Sequence, residues 1–186
     1  MKYLFFISCL CHFALDANSQ FLSIGNATMN GHGVYGEVYG ASQGMTLNYD
    51  KVICQLFNRW NGSMRVGFGT YGKAAGRVRF ISTPVGLNFF KGRHGHNKEF
   101  GVHVAYVQGR NYIKAASFLR YSEGLYFTPS IGYRFQQDRG GLLIRVQYAP
   151  FVKLKEFGDD SPYKMWSRRL THSLGASIGY YFARKR

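Results

Sequence analysis

Between Leu170 and Phe182 the chain alternates. Leu174, Ala176, Ile178, Tyr180 and Phe182 fall on one face of an extended segment, and Ser173, Gly175, Ser177, Gly179 and Tyr181 fall on the other. A period of two belongs to a strand, because successive side chains leave a strand on opposite sides. The character of the second face is what constrains the fold. A soluble sheet would show Lys, Glu, Thr and Gln to water there, whereas this strand shows glycine and serine. Small residues suit the crowded concave side of a strongly curved sheet. A strand with its apolar side in lipid, its small side in a barrel interior and its aromatics at headgroup depth has this pattern.

The same alternation recurs upstream. Val34 to Gly40 reads as a first strand, with Tyr35, Glu37 and Tyr39 inward and Val34, Gly36 and Val38 outward. Met45 to about Leu56 follows, with Met45, Leu47 and Tyr49 outward and Thr46, Asn48 and Asp50 inward. The third, Met64 to about Tyr71, sets Met64, Val66, Phe68 and Thr70 against Arg65, Gly67, Gly69 and Tyr71. Further strands are expected over about Phe80 to Phe90, Glu99 to Val107, Leu125 to Phe135 and Leu142 to Ala149. With the closing segment this makes about eight strands, each near the 9–11 residues that a tilted strand needs to cross a bilayer.

Between the strands, Asn61-Gly62 reads as a hairpin turn. Lys91 to Lys98 reads as a basic turn, and Gln136 to Gly141 as a short glycine-rich one. Gln108 to Glu123 is a longer polar connection able to hold a short helix around Ile113 to Leu119, and Pro150 to Arg169 is the longest loop. Pro84 and Pro129 fall within strands, and a closed barrel has no edge to receive them. A bulge or a strand end is therefore expected at each.

The first residues form a separate unit. Met1-Lys2 precedes a mostly apolar run from Tyr3 to Leu15, and Ala17-Asn18-Ser19 fits a small-x-small cleavage site. Residues 1–19 read as a signal peptide, leaving 20–186 as one barrel domain. Cys9 and Cys11 lie in the leader, so the mature domain keeps only Cys54 and no internal disulfide. A small soluble secreted domain usually leans on such staples. Beyond residue 20 no stretch approaches the roughly 18 apolar residues of a transmembrane helix. Any membrane crossing is made by strands.

The formal net charge is +15. The excess clusters in turns and tails, such as Lys91 to Lys98 and Arg184-Lys185-Arg186, which points to anionic lipid headgroups rather than nucleic acid.

With Leu47-Asn48-Tyr49-Asp50, Pro84-Val85-Gly86-Leu87-Asn88, Ile131-Gly132-Tyr133-Arg134 and Ile178-Gly179-Tyr180-Tyr181-Phe182 in view, the chain resembles the small outer-membrane β-barrel proteins of Gram-negative bacteria, the group of the OmpA and OmpX barrels. The resemblance implies an all-β, eight-stranded antiparallel up-and-down transmembrane barrel in the cell outer membrane. It implies contact with outer-membrane lipid and lipopolysaccharide, and recognition by the barrel-assembly machinery through Leu170 to Phe182. In this chain Ala183-Arg184-Lys185-Arg186 follow the aromatic residue on which the family pattern ends.

The residues that bear chemistry are the inward charges. Glu37, Asp50, Arg65, Glu99, His103, Arg134 and Arg145 all fall on the inner face. An eight-stranded barrel is only wide enough for its own side chains, and charges buried there must pair. A structural polar plug is the expectation, with a gated or proton-conducting path as the other reading. Lipid A esterases of this fold use a Ser/His/acid set, which Ser130, His103 and Glu99 imitate in type. Adjacent His172 and Ser173 point to opposite faces and cannot cooperate. His94 and His96 read as a solvated turn, and Trp60 and Trp166 as headgroup anchors. No catalytic, cofactor or metal residue is assigned. An integral barrel with a structural or surface-interaction role is expected, against a lipid A-modifying hydrolase or a soluble lipocalin-like binder.

Overall fold

A computed structural model describes residues 31–41, 44–56, 60–71, 78–113, 118–137, 139–157 and 170–183. The leader expected over residues 1–19 and Trp166 lie outside the described residues. Ten strand segments form: β1 Gly31–Val38, β2 Met45–Leu56, β3 Trp60–Tyr71, β4 Val78–Arg93, β5 His96–Ile113, β6 Phe118–Gln136, β7 Gly141–Tyr148, β8 Phe151–Phe157, β9 Leu170–Thr171 and β10 Leu174–Ala183. Among the described residues there is no helix, hence none long and apolar enough to cross a membrane.

Each segment pairs antiparallel with its neighbours, and β1 pairs with β10, so the sheet closes on itself. β7 and β8 continue one another along β6, and β9 and β10 continue one another along them, which leaves eight barrel strands. One row of partners runs Gly33, Asp50, Arg65, Gly86, His103, Thr128. Such a row climbs as it goes round: the register Val38↔Ala176 sets Thr171 beyond the end of β1. That offset is the shear a closed, tilted barrel requires.

The two faces are assigned as the alternation predicts. In β1 every second residue from Gly31 is buried, including Tyr35 and Glu37, and the residues between them are exposed. β2 holds Thr46, Asn48 and Asp50 inside and Met45, Leu47 and Tyr49 outside. Tyr39 departs from this pattern. It adopts a positive φ in the β1–β2 turn and is 55% exposed.

The connections differ more. Asn61-Gly62 is no turn: Asn61 pairs with Gln55 and Gly62 with Cys54 inside the β2–β3 ladder. Local turn chemistry loses there to the pairing pattern of two long strands. The basic segment closes in two residues, His94 and Gly95, both at positive φ, as a tight twisted hairpin requires. The polar connection 108–123 is mostly strand, its ladder running out to Ile113↔Phe118, and the helix expected around 113–119 is absent from its described part. The first part of the 150–169 loop is β8, paired with Glu123–Phe127 of β6.

Neither proline makes a bulge. Pro84 pairs in register with Ala105 on β5, and the β3–β4 ladder lapses beside it between Val66↔Val85 and Gly69↔Ser82. Pro129 pairs with Val102, and the unshifted register from Ile131↔Tyr148 to Phe127↔Val152 sets it opposite Pro150. Neither has an N–H to lose, so the gap between β7 and β8 falls where no donor exists.

The barrel has a terminal end, with Gly31, Ala183 and the β4–β5 turn, and a loop end, with the β1–β2 turn. At the loop end its wall is uneven: β1 has 8 residues, β5 has 18 and β6 has 19.

Candidate functional site

Inside the barrel, side chains arrange in three layers. Toward the terminal end Tyr35, Val52, Phe90, Leu143 and Tyr181 pack into an apolar cluster. Toward the loop end Ala105, Val107, Tyr126 and Phe151 form another, with Tyr126 stacked on Phe151 at 4.5 Å between ring centroids. Charge occupies the space between them.

All seven predicted residues lie there, buried. Six of them form one alternating chain contributed by six different strands. Arg65 Nη2 meets Glu37 Oε1 at 2.5 Å, and Glu37 Oε2 lies 3.9 Å from Arg145 Nη1. Arg145 donates to Glu99 through Nε and Nη2, both at 2.9 Å, the two-pronged geometry a guanidinium offers a carboxylate. Glu99 Oε1 reaches Arg134 Nη1 at 3.4 Å, and the same nitrogen lies 2.6 Å from Asp50 Oδ2. Asp50 stands opposite Arg65 across the β2–β3 ladder, which turns the chain back toward its start.

Three arginines face three carboxylates, so the layer is neutral within itself. The chain's +15 therefore resides elsewhere. Isolated charges at 0% exposure would each cost several kcal/mol; here every guanidinium has a carboxylate and further polar contacts. Arg65 also donates to Asn48 Oδ1, Arg134 to Gln136 Oε1, and Arg145 to Gln147 Oε1 and the Tyr35 hydroxyl. Arg145 and Arg65 lie over the Tyr35 ring, and Arg134 lies over Phe90 at 4.3 Å. Gln147 and Ser177 both donate to Glu37 Oε2 at 3.1 Å. These neutral partners share the charges' face of their strands, which is the signal that places them, but their roles depend on contacts across the barrel.

His103 sits apart from the ion pairs. Its Nδ1 donates to the Thr128 carbonyl at 3.1 Å, and its Nε2 lies 2.9 Å from Asn88 Oδ1. Both ring nitrogens are engaged by groups other than Ser130, and Glu99 is engaged by Arg134 and Arg145. The three residues that imitate an esterase set are thus neighbours in the barrel without a shared hydrogen bond. The layer is tight: a Cβ on Gly101 would stand 2.3 Å from Ser130 Oγ and 2.4 Å from His103 Cε1.

The loop end is covered from within. The Ala41 amide donates to Glu37 Oε1 at 3.0 Å, the Thr128 hydroxyl donates to the Ala41 carbonyl, and the Ser173 hydroxyl donates to the Tyr39 carbonyl. A Cβ on Gly175 would lie 2.6 Å from Gly40 Cα, so the β1–β2 turn rests on β10 backbone to backbone.

Outside, the faces reverse. Leu174 is 74% exposed, Ile178 and Leu47 65%, and Phe68 62%. Aromatic groups border this band. His32 stacks on Phe182, His96 meets Phe135 edge-on, and Trp60 lies 5.8 Å from Phe100. His172 stacks on Tyr148 on the outer surface while Ser173 is buried, so these neighbours do face opposite ways. Cys54 is free, and among the described residues no group of His, Cys, Asp or Glu is placed to hold a metal.

The crystal structure of the N-terminal β-barrel domain of Pseudomonas aeruginosa OprF aligns with this chain at a TM-score of 0.56 and 11% identity, covering 85% of this chain and all of that domain. The chain folds as an outer-membrane-type β-barrel. No family model and no curated protein matches its sequence. At 11% identity the likeness is one of backbone, and the inward charges and outward aliphatics belong to this sequence.

Proposed function

We propose that the chain is an integral outer-membrane barrel with a filled lumen and no wide pore, serving a structural or surface-interaction role. The observation that carries this reading is the reversal of faces: arginine and carboxylate buried inside, leucine, isoleucine and phenylalanine exposed outside. Water outside such a barrel would leave a continuous apolar band wet, far beyond the patches soluble monomers expose. Hydrocarbon outside removes that cost, and a closed sheet leaves no strand edge unpaired in lipid. The aromatic and histidine groups bordering the band suit headgroup depth.

The charged layer supports a plug rather than a conduit. Its ion pairs fill the middle of the barrel, and an apolar cluster stands on either side. A lipocalin-like cup would need an open apolar interior, and a hydrolase would need Ser130 and His103 to share a proton. The surface role, including contact with lipopolysaccharide, rests on the wall of β5 and β6 raised at the loop end. The alternating strand ending at Phe182 suits recognition by assembly machinery.

The test is migration of the detergent-extracted protein in SDS. A membrane barrel stays compact when unheated and shifts on boiling; a soluble sheet protein unfolds in both lanes and partitions into the aqueous phase.

A further inference from the structure

Down the outer face of the β4–β5 ladder, toward the terminal end, the pairs change character in order. Leu87 stands opposite Val102, Phe89 opposite Phe100, Lys91 opposite Lys98 and Arg93 opposite His96, after which the chain turns at His94 and Gly95. Aliphatic, aromatic and ammonium groups follow one another as hydrocarbon, interface and lipid phosphate do along a membrane normal. The neighbouring strands supply further rings to this belt. Trp60 of β3 lies 5.8 Å from the Phe100 ring, and Tyr133 of β6 is in register with Lys98.

The lysine pair is the anomaly in this series. Like charges directly opposite one another destabilise a ladder. Lys91 is half-buried and Lys98 exposed, and no carboxylate among the described residues pairs with either. Those carboxylates are Glu37, Asp50 and Glu99 inside the barrel and Glu123 and Glu156 toward the loop end. The inward arginines are matched within the protein; the outward lysines are not. Around them the terminal end adds Lys51, Arg93 and Arg139, exposed or half-buried, and no described carboxylate on the outer surface. The pair stands about 7 Å along the strands from the phenylalanines, and a lysine stem can lie on apolar surface while its ammonium reaches the headgroups. An anion held by both ammoniums removes the repulsion.

We propose that Lys91 and Lys98 bind the phosphate of one anionic phospholipid in the leaflet at the terminal end. The proposal rests on the outer-membrane reading above and gives it a direction. Short turns of such barrels face the periplasm, and the β4–β5 turn at this end is two residues long. An anionic headgroup is preferred to a zwitterionic one, whose own ammonium brings another positive charge to the lysines. Each basic residue near an anionic leaflet strengthens attachment roughly fivefold, so removal of the pair is readable.

The test uses the full chain refolded into phosphatidylcholine vesicles holding a minor fraction of phosphatidylglycerol, then extracted gently and weighed by native mass spectrometry. One phosphatidylglycerol should remain per wild-type barrel. The double variant Lys91→Gln/Lys98→Gln should retain at least fivefold less. Lys153→Gln/Lys155→Gln, the same loss of charge at the loop end, should retain as much as wild type. Stability gives a second readout: phosphatidylglycerol should raise the urea midpoint of wild type and leave that of Lys91→Gln/Lys98→Gln unchanged. In phosphatidylcholine alone, where no anionic lipid relieves the pair, that variant should be at least as stable as wild type. All proteins are checked for the heat-dependent shift, and if the double variant does not fold, Lys98→Gln at the more exposed position replaces it. No retention by wild type, equal retention by the folded Lys91/Lys98 variant, an equal drop in the loop-end variant, or displacement of the lipid by inorganic phosphate overturns the site. If the wild-type chain does not insert at all, the membrane reading fails instead.

Discussion

The inner and outer surfaces of this barrel are separated by one strand thickness and follow opposite rules. Inside, Arg145 is buried and satisfied by Glu99, Tyr35 and Gln147; outside, on the adjacent residue of the same strand, Val146 is 53% exposed. A single residue step exchanges a charge that needs partners for an aliphatic that needs none. Whether a residue is tolerated depends on which face it occupies more than on how polar it is.

Breaking this contrast from the inside should cost most. Arg145→Ala leaves Glu99 with one distant cation and weakens the hold on Glu37, and loss of one partner from a buried pair costs about 3–5 kcal/mol. Urea unfolding in vesicles, followed by tryptophan fluorescence, should show that loss against wild type. Placing charge outside comes next. Ile178→Arg puts a cation in the exposed apolar band, for a loss of roughly 2–4 kcal/mol if the site lies at the bilayer midplane. The same unfolding assay reads it, and a change within error would argue against hydrocarbon on that face.

Glycine substitution sharpens the contrast without charge. Gly101→Ala forces a methyl against Ser130 and His103 and should cost about 1–3 kcal/mol. Gly36→Ala meets nothing and should lie within about 0.5 kcal/mol of wild type. A comparable loss at both sites would remove the distinction between a crowded interior and an open exterior. The last test concerns coupling. A double-mutant cycle between Arg134 and Asp50, 2.6 Å apart, should give an interaction energy of about 0.5–3 kcal/mol. The same cycle between Arg134 and Arg65, linked only through other members of the charged chain, should give a smaller interaction energy.

Much of this contrast was legible in the chain. Alternation placed Glu37, Asp50, Arg65, Glu99, Arg134 and Arg145 on one face because that face is chosen by period alone. Their partners were not legible, since Arg145 finds Glu99 across 46 residues and Ser177 finds Glu37 across 140. Such pairings depend on shear and strand tilt, which no local pattern encodes. The ends of the strands misled for a related reason. Gln108–Ile113 and Phe151–Phe157 extend the sheet where alternation fades: the described residues from Leu154 to Phe157 are all exposed, apolar and charged alike. Asn61-Gly62 misled in the opposite way, offering the chemistry of a turn at positions already committed to a ladder.

The facing prolines, Pro129 and Pro150, give the barrel a seam at which its upper collar can be altered independently. The hydrogen bonds between β6 and β8 begin afresh beyond it. Insertions or deletions in the collar need not disturb the ladder that ties β7 to β6 and β10 below. A lineage could lengthen, trim or exchange what this protein presents to its surroundings while inheriting the closed cylinder unchanged.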